Sequence, residues 1–233
     1  MTGTLNALFI ATALFVGMHF LLSSQAPRRT LQDRIGEGPF RAIYALVAGG
    51  SFVWMLFAYG AAPFVEVWSP PLALRWVPVL VMPISLFLIL AGLTTPSPTA
   101  VGGDKMLQDS TGSPANGILR ITRHPFLWGA ALWALPHLCV RGDAASILLM
   151  GGIVVLSFGG MWHIDRRREA LDHGAWGPMA LTTSVIPFAA IASGRTTMDW
   201  QGIGWWRPVA ALALYVVLFH LHEWIIGVSA LPA

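Results

Sequence analysis

The chain has 233 residues, 55% of them hydrophobic and 11% charged, whereas an ordinary soluble domain carries roughly 25% charged residues. That balance excludes a water-soluble surface, and about six apolar spans with short loops leave no room for a separate soluble domain. The net charge of +3 comes from Lys and Arg placed in loops between apolar runs, which favours membrane lipids as partners and excludes nucleic acid.

The first apolar run, Leu5 to Leu22, has no basic residue before it, and the first Lys or Arg is Arg28. It is expected to be a retained helix rather than a cleaved signal peptide. Phe40 to Tyr59 and Trp76 to Leu93 follow. Pro78 and Pro83 in the third run remove backbone donors that neighbouring protein must compensate in lipid. The fourth run, Phe126 to Val140, is short and contains Pro136. The fifth, Ala144 to Trp162, carries Gly151, Gly152, Ser157, Gly159 and Gly160, small residues that let helices approach closely. Val209 to Ile226 is the sixth. Trp76, Trp162, Trp205, Trp206 and Trp224 sit near predicted span ends, where an indole N–H meets the headgroup layer. Cys139 is the single cysteine, so no intrachain disulfide is possible.

Alternating the loops puts Arg28, Arg29, Arg34, Arg41, Lys105, Arg120, Arg123, Arg166, Arg167, Arg168, Arg195 and Arg207 on one side. Only Arg75 and Arg141 fall on the other. The positive-inside rule then makes the first, third and fifth loops cytoplasmic and both termini periplasmic. The expected fold is a single all-α transmembrane domain over residues 1–233, a polytopic helical bundle of about six spans.

Five of the seven histidines, His19, His137, His163, His220 and His222, lie in or at the edge of these spans. Ionisable groups there are costly and usually face the bundle interior. Each one can serve a structural role by donating to a helix carbonyl. Several in one bundle also suit a transition metal or haem iron, for which neutral imidazole is a common ligand. No HExxH pattern or cysteine pair supports hydrolytic zinc. His220 and His222 point about 200° apart on a helix, and Glu223 shares the face of His220, which makes His220 the inward candidate with Glu223 orienting it. Counted from the cytoplasmic ends, His137 and His220 lie roughly 18 to 20 Å deep. His19 and His163 lie near those ends with His124.

Arg120, Arg123, His124 and Pro125 precede the fourth span, and Asp165, Arg166, Arg167, Arg168 and Glu169 follow the fifth. A hairpin of these two helices brings the clusters together. The resulting site suits an anionic headgroup, a haem propionate or a phosphorylated cofactor, or merely sets topology.

The stretch Arg120-Ile121-Thr122-Arg123-His124-Pro125-Phe126-Leu127-Trp128-Gly129, followed by Trp133 and His137, resembles the NnrU family of bacterial membrane proteins. So do Thr183 to Ile191 and the early His19, Gly36-Glu37 and Phe40-Arg41. The resemblance runs from about His19 to Ile191, with the last span matching more loosely. It implies a multi-pass protein of the bacterial inner membrane linked to denitrification, that is, to nitrite and nitric oxide reduction. The motif set is shared with 15-cis-zeta-carotene isomerase, a haem b membrane enzyme that isomerises a polyene. That likeness implies haem b with axial ligands at His19 and His137, and Arg123 or Arg120 beside its propionates. The isomerase's alternative thiol ligand falls on Ala134 here, so a ligand switch of that kind is not available. Two axial nitrogens stand about 4 Å apart. A His19–His137 pair therefore requires the fourth helix to kink or tilt at Pro136, or else the pair is His137 with His220.

A more distant likeness joins Arg123, His124, Pro125 and Gly129, with Glu169, to membrane methyltransferases that use S-adenosylmethionine. Three functions follow: a haem-binding protein with polyene-isomerase-like or redox-sensing activity on a lipophilic substrate; an assembly or transport factor acting with nitric oxide reductase components; or a methyltransferase.

Overall fold

The computed structural model describes residues 3–99, 115–171 and 173–231, with residues 173–175 as backbone. Lys105, counted above among the cytoplasmic cations, lies outside the described residues. Every regular element among the described residues is helical, and the one pairing of extended backbone is an isolated bridge between Glu66 and Asp143.

Five helices are long and apolar enough to cross a membrane: α1 (Leu5–Ser23), α3 (Glu37–Ala61), α4 (Trp76–Thr94, entered through the 3-10 turn Leu72–Arg75), α7 (Ala144–Leu171) and α11 (Trp206–Ile226). The fourth expected span is α6, Pro125–Arg141, which has 17 residues. At 1.5 Å per residue it is about 26 Å long, against a hydrocarbon core of about 30 Å. The chain is therefore an all-α, multi-pass membrane protein. Between these run α2 (Gln25–Ile35), α8 (His173–Thr182) and three single turns, α5 (Ile118–Ile121), α9 (Ala189–Ala192) and α10 (Trp200–Ile203).

The chain divides into two compact units, Met1–Leu74 with Ala134–His163, and Arg75–Trp133 with Ile164–Ala233. In the first, Thr4 caps α1 by accepting the amide of Ala7 at 3.1 Å. Helix α1 packs on α3, with Phe15 and Phe52 rings 5.5 Å apart. The small residues of α7 act as expected at two positions. Gly152 lies against Thr12, and a Cβ at Gly159 would meet the Phe20 ring at 2.7 Å, so these glycines admit α1 side chains that alanine would push away; Gly151 faces open space. The turn between α6 and α7 is stitched to residues 65–68. The Gly142 carbonyl accepts from the amides of Val67 at 2.8 Å and Trp68 at 3.0 Å, and Val65 O accepts from Ala144 N at 2.9 Å. Gly142 has φ +62 and backs onto the Trp68 carbonyl, so only glycine fits. Buried Asp143 caps α7, accepting from Ser146 N at 2.9 Å and Ser146 Oγ at 2.7 Å.

In the second unit, α4 and α6 meet backbone to backbone. A Cβ on Gly129 would stand 2.7 Å from Ile89 Cγ1 and 2.8 Å from Ser85 O, and one on Gly92 would stand 2.5 Å from Phe126 N. Ser85 Oγ donates across this crossing to Gly129 O at 2.8 Å. Pro83, inside α4, has no amide to offer the carbonyl four residues back, which is that of Val79. The hydroxyl of Tyr215 on α11 donates to that carbonyl at 3.0 Å, so the donor missing in the sequence is supplied by a neighbouring helix. A core of Leu88, Ala91, Ile118, Leu119, Trp176, Met179 and Ile203 joins α4 to the short elements α5, α8 and α10.

Candidate functional site

The two stretches singled out in the sequence, Arg120–Gly129 and Thr183–Ile191, form one structure. Thr122, extended at φ −151 and ψ 142, ends α5. Pro125 then opens α6, where its fixed φ and missing amide cost nothing. Thr122 Oγ1 and Trp128 Nε1 both donate to the Val185 carbonyl at 2.8 Å. Arg123 N donates to Ser184 O at 3.0 Å, and Phe188 N to Ile121 O at 2.8 Å. Phe188 follows Pro187 and is the one non-glycine at positive φ among the described residues, at +65. Its cost is offset by that bond and by Ala192 N, which donates to the Phe188 carbonyl at 2.8 Å. Thr99 Oγ1 donates to Arg123 O at 2.9 Å, so both polar backbone groups of Arg123 are fixed.

On this frame the expected meeting of the two charged clusters takes place. His124, 3% exposed, donates from Nε2 to Asp165 Oδ1 on α7 at 2.8 Å. Arg123 Nη1 stands 3.5 Å from Asp165 Oδ2. The guanidinium also lies over the indole of Trp176 on α8, 5.7 Å from the ring centroid, a cation–π distance. Burial pushes the Arg123 guanidinium below its ordinary value; Asp165 opposes the shift and Arg195 adds to it. Arginine stays charged throughout the accessible range. Arg123, Asp165, Glu169, Trp176, Gly177 and Ala180 line an open cleft of about 530 Å³.

Other loop arginines have backbone duties. Arg195 Nη1 caps α8 by donating to Leu181 O at 2.9 Å and Thr183 O at 3.0 Å. Arg207 reaches Thr94 O at 3.1 Å at the end of α4. Cations at helix C-termini are favourable there. Arg120, expected beside a propionate, gives Nε to Ala115 O at 3.1 Å and Nη1 to Thr197 O at 3.4 Å. Asp199 accepts from Gly117 N at 2.8 Å and Gly202 N at 2.9 Å, and these two amides hold its carboxyl below the usual range.

The intramembrane histidines separate by environment. Half-buried His19 donates from Nδ1 to Phe15 O at 2.7 Å, and its ring packs edge-on against Phe15 at 4.5 Å and Tyr44 at 5.7 Å. A carbonyl only accepts, so Nδ1 is the ring nitrogen that carries a proton toward Phe15 O. His137 is half-buried on α6 in the same unit as His19, and that helix runs continuously through Pro136. His163 has a buried Nε2 without a hydrogen-bond partner and lies 6.0 Å from the Phe20 ring, next to His19 in sequence. His220 corrects the expectation that it faces inward with Glu223. It is exposed, and its Nδ1 bonds to Val216 O at 2.8 Å. Its bond to the carbonyl four residues back is the one His19 also makes, and exposure is what separates the two. Among the described residues no group of three or more His, Cys, Asp or Glu gathers to hold a metal ion. Two histidines suffice for haem iron.

Trp176, a wall of the cleft, was not singled out from the sequence. It lies in a short stretch without an apolar run, and its neighbours Gly174, Gly177 and Pro178 suggest a loop rather than α8.

The family described as NnrU protein matches residues 7–230. The chloroplastic 15-cis-zeta-carotene isomerase of Zea mays is 38% identical over 79 residues, 34% of this chain and 22% of that protein. The corresponding isomerase of Arabidopsis thaliana is 37% identical over 82 residues, 35% of this chain and 22% of that protein. The matched stretch thus spans less than a quarter of either relative. No solved structure matches the chain.

Proposed function

The chain belongs to the NnrU family, and from that premise we propose that it is a haem-b-binding, isomerase-like protein of a bacterial inner membrane, acting on a lipophilic polyene and serving nitrite and nitric oxide reduction. The observation that carries the reading is His19, an imidazole inside an apolar helix whose Nδ1 is tied to Phe15 O at 2.7 Å. A backbone carbonyl on the second ring nitrogen is the usual outer partner of a metal-bound histidine, fixing its tautomer and orientation. The partial likeness to 15-cis-zeta-carotene isomerase supports the substrate class.

The residues suit the group in kind, being two imidazoles of one unit. His19 and His137, both half-buried and in one unit, would hold the iron. Haem b, when bound, supplies an iron centre whose potential is set by axial ligation and low dielectric. His19 keeps its proton at Nδ1 and presents Nε2, while Phe15 and Tyr44 clamp the ring. Ala134, fully buried, provides no thiol, so ligation rests on imidazole alone. The exposed apolar side chains of the helices suit a ligand drawn from the bilayer.

The test is conversion of 15-cis-zeta-carotene in liposomes containing the full-length protein purified with haem, followed by chromatography of the isomers. The expected result is conversion that His19→Ala abolishes. A haem-loaded protein that leaves the isomer ratio unchanged would overturn the isomerase reading.

A further inference from the structure

The cleft at the end of α7 is lined by charges of both signs: Arg123, paired with Asp165 at 3.5 Å, and Glu169. Arg123 supplies the cation. Its side chain is 11% exposed, its Nε is buried without a hydrogen-bond partner, and its Nη1 stands 3.5 Å from Asp165, beyond a good hydrogen bond. Asp165 already gives Oδ1 to His124 at 2.8 Å. Glu169, one helical turn further along α7, is exposed on the cleft rim. Trp176, 4% exposed, forms a rigid wall beneath the guanidinium.

The charge pattern selects the ligand. A simple anion attracted by Arg123 would meet the carboxylates of Glu169 and Asp165, and a simple cation attracted by Glu169 would meet Arg123. Only a ligand carrying both signs satisfies the two walls. The volume of about 530 Å³ lies in the range of small-molecule sites, roughly 300 to 1,000 Å³, and exceeds what a lone ion fills.

We propose that this cleft binds a zwitterion, its phosphate or carboxylate oxygen received by Arg123 and its ammonium by Glu169. Two sources carry that chemistry, the headgroup of an aminophospholipid in the surrounding bilayer and a free amino-phosphate or amino acid. Its residues belong to the second unit and include neither His19 nor His137, so the proposal does not rest on haem.

The experiment titrates the full chain in detergent with dihexanoylphosphatidylethanolamine, with dihexanoylphosphatidylglycerol and with free phosphoethanolamine, read by native mass spectrometry. The ethanolamine lipid is expected to bind about tenfold more tightly than the glycerol lipid, the worth of one charge-assisted hydrogen bond. Glu169→Gln, at an exposed position that leaves the fold intact, removes that preference. Arg123→Gln weakens both lipids, while Arg41→Gln, on exposed α3, changes neither. Free phosphoethanolamine binding as tightly as the lipid sustains the site and makes its source soluble; binding of the lipid alone sustains it and makes its source the bilayer. Equal affinity for the two lipids, or an ethanolamine preference that survives Glu169→Gln, overturns the proposal.

Discussion

Replacing Tyr215 by Phe removes one oxygen and leaves the Val79 carbonyl, 3.0 Å away, without its donor. Interhelical hydrogen bonds in membranes are worth about 0.6 kcal/mol on average and at most about 1.7, because a lost partner is usually replaced. Here replacement from within the helix is blocked, since Pro83 has no amide for that carbonyl. The cost should therefore lie high in the range, about 1 to 1.7 kcal/mol. The decisive variant is Pro83→Ala, which restores the missing amide. In that background Tyr215→Phe should cost about half a kcal/mol or less. A double-mutant cycle in mixed micelles, unfolded with SDS and followed by circular dichroism, measures the difference. Equal cost of Tyr215→Phe in both backgrounds would refute the idea that the tyrosine compensates the proline.

At the α4–α6 crossing, Gly129→Ala puts a methyl 2.7 Å from Ile89 Cγ1 and 2.8 Å from backbone atoms that cannot yield. It should destabilise by about 2 to 4 kcal/mol through overpacking and loss of the Ser85 bond, whereas Gly151→Ala, facing open space, should be neutral or slightly stabilising in the same unfolding assay. Asp165→Ala strands the buried ring of His124 and the guanidinium of Arg123. It should cost about 2 to 4 kcal/mol, and Asp165→Asn, which keeps an acceptor for His124, clearly less; equal losses would argue against the bond. The Asp199 carboxyl is depressed by the amides of Gly117 and Gly202. Its stabilisation is present above the ordinary carboxylate value of about 3.9 and is lost as pH falls through the lower folded value. Asp199→Asn should flatten that acid limb in melting curves taken between about pH 2 and 5.

The spans were legible because the length of an apolar run is a strong signal in lipid. Trp76 and Trp206 begin α4 and α11, as their place at span ends suggested. The far end of α7 was less legible. Its apolar run stops at Trp162, yet the helix continues to Leu171 through Asp165 and Arg168, and that polar extension carries the cleft. Helix α2 was missed because it buries no residue and shows no apolar run, and α8 because Gly174, Gly177 and Pro178 resemble a loop. In the site, the meeting of Arg123 and His124 with Asp165 followed from hairpin topology alone. The part played by Trp176 depends on a tertiary approach that no spacing encodes. His220 was misplaced because helical periodicity fixes which residues share a face with Glu223 and not which way that face turns.

We propose the His19 imidazole, with Nδ1 held by Phe15 O, as an iron ligand. The direct test is the oxidised and reduced absorption spectrum of detergent-purified protein expressed with ample haem, compared with His19→Ala, His137→Ala and His220→Ala. The account predicts a Soret band lost in His19→Ala and His137→Ala and kept in His220→Ala. A colourless wild-type protein under those conditions, or a band unchanged by His19→Ala, would contradict it.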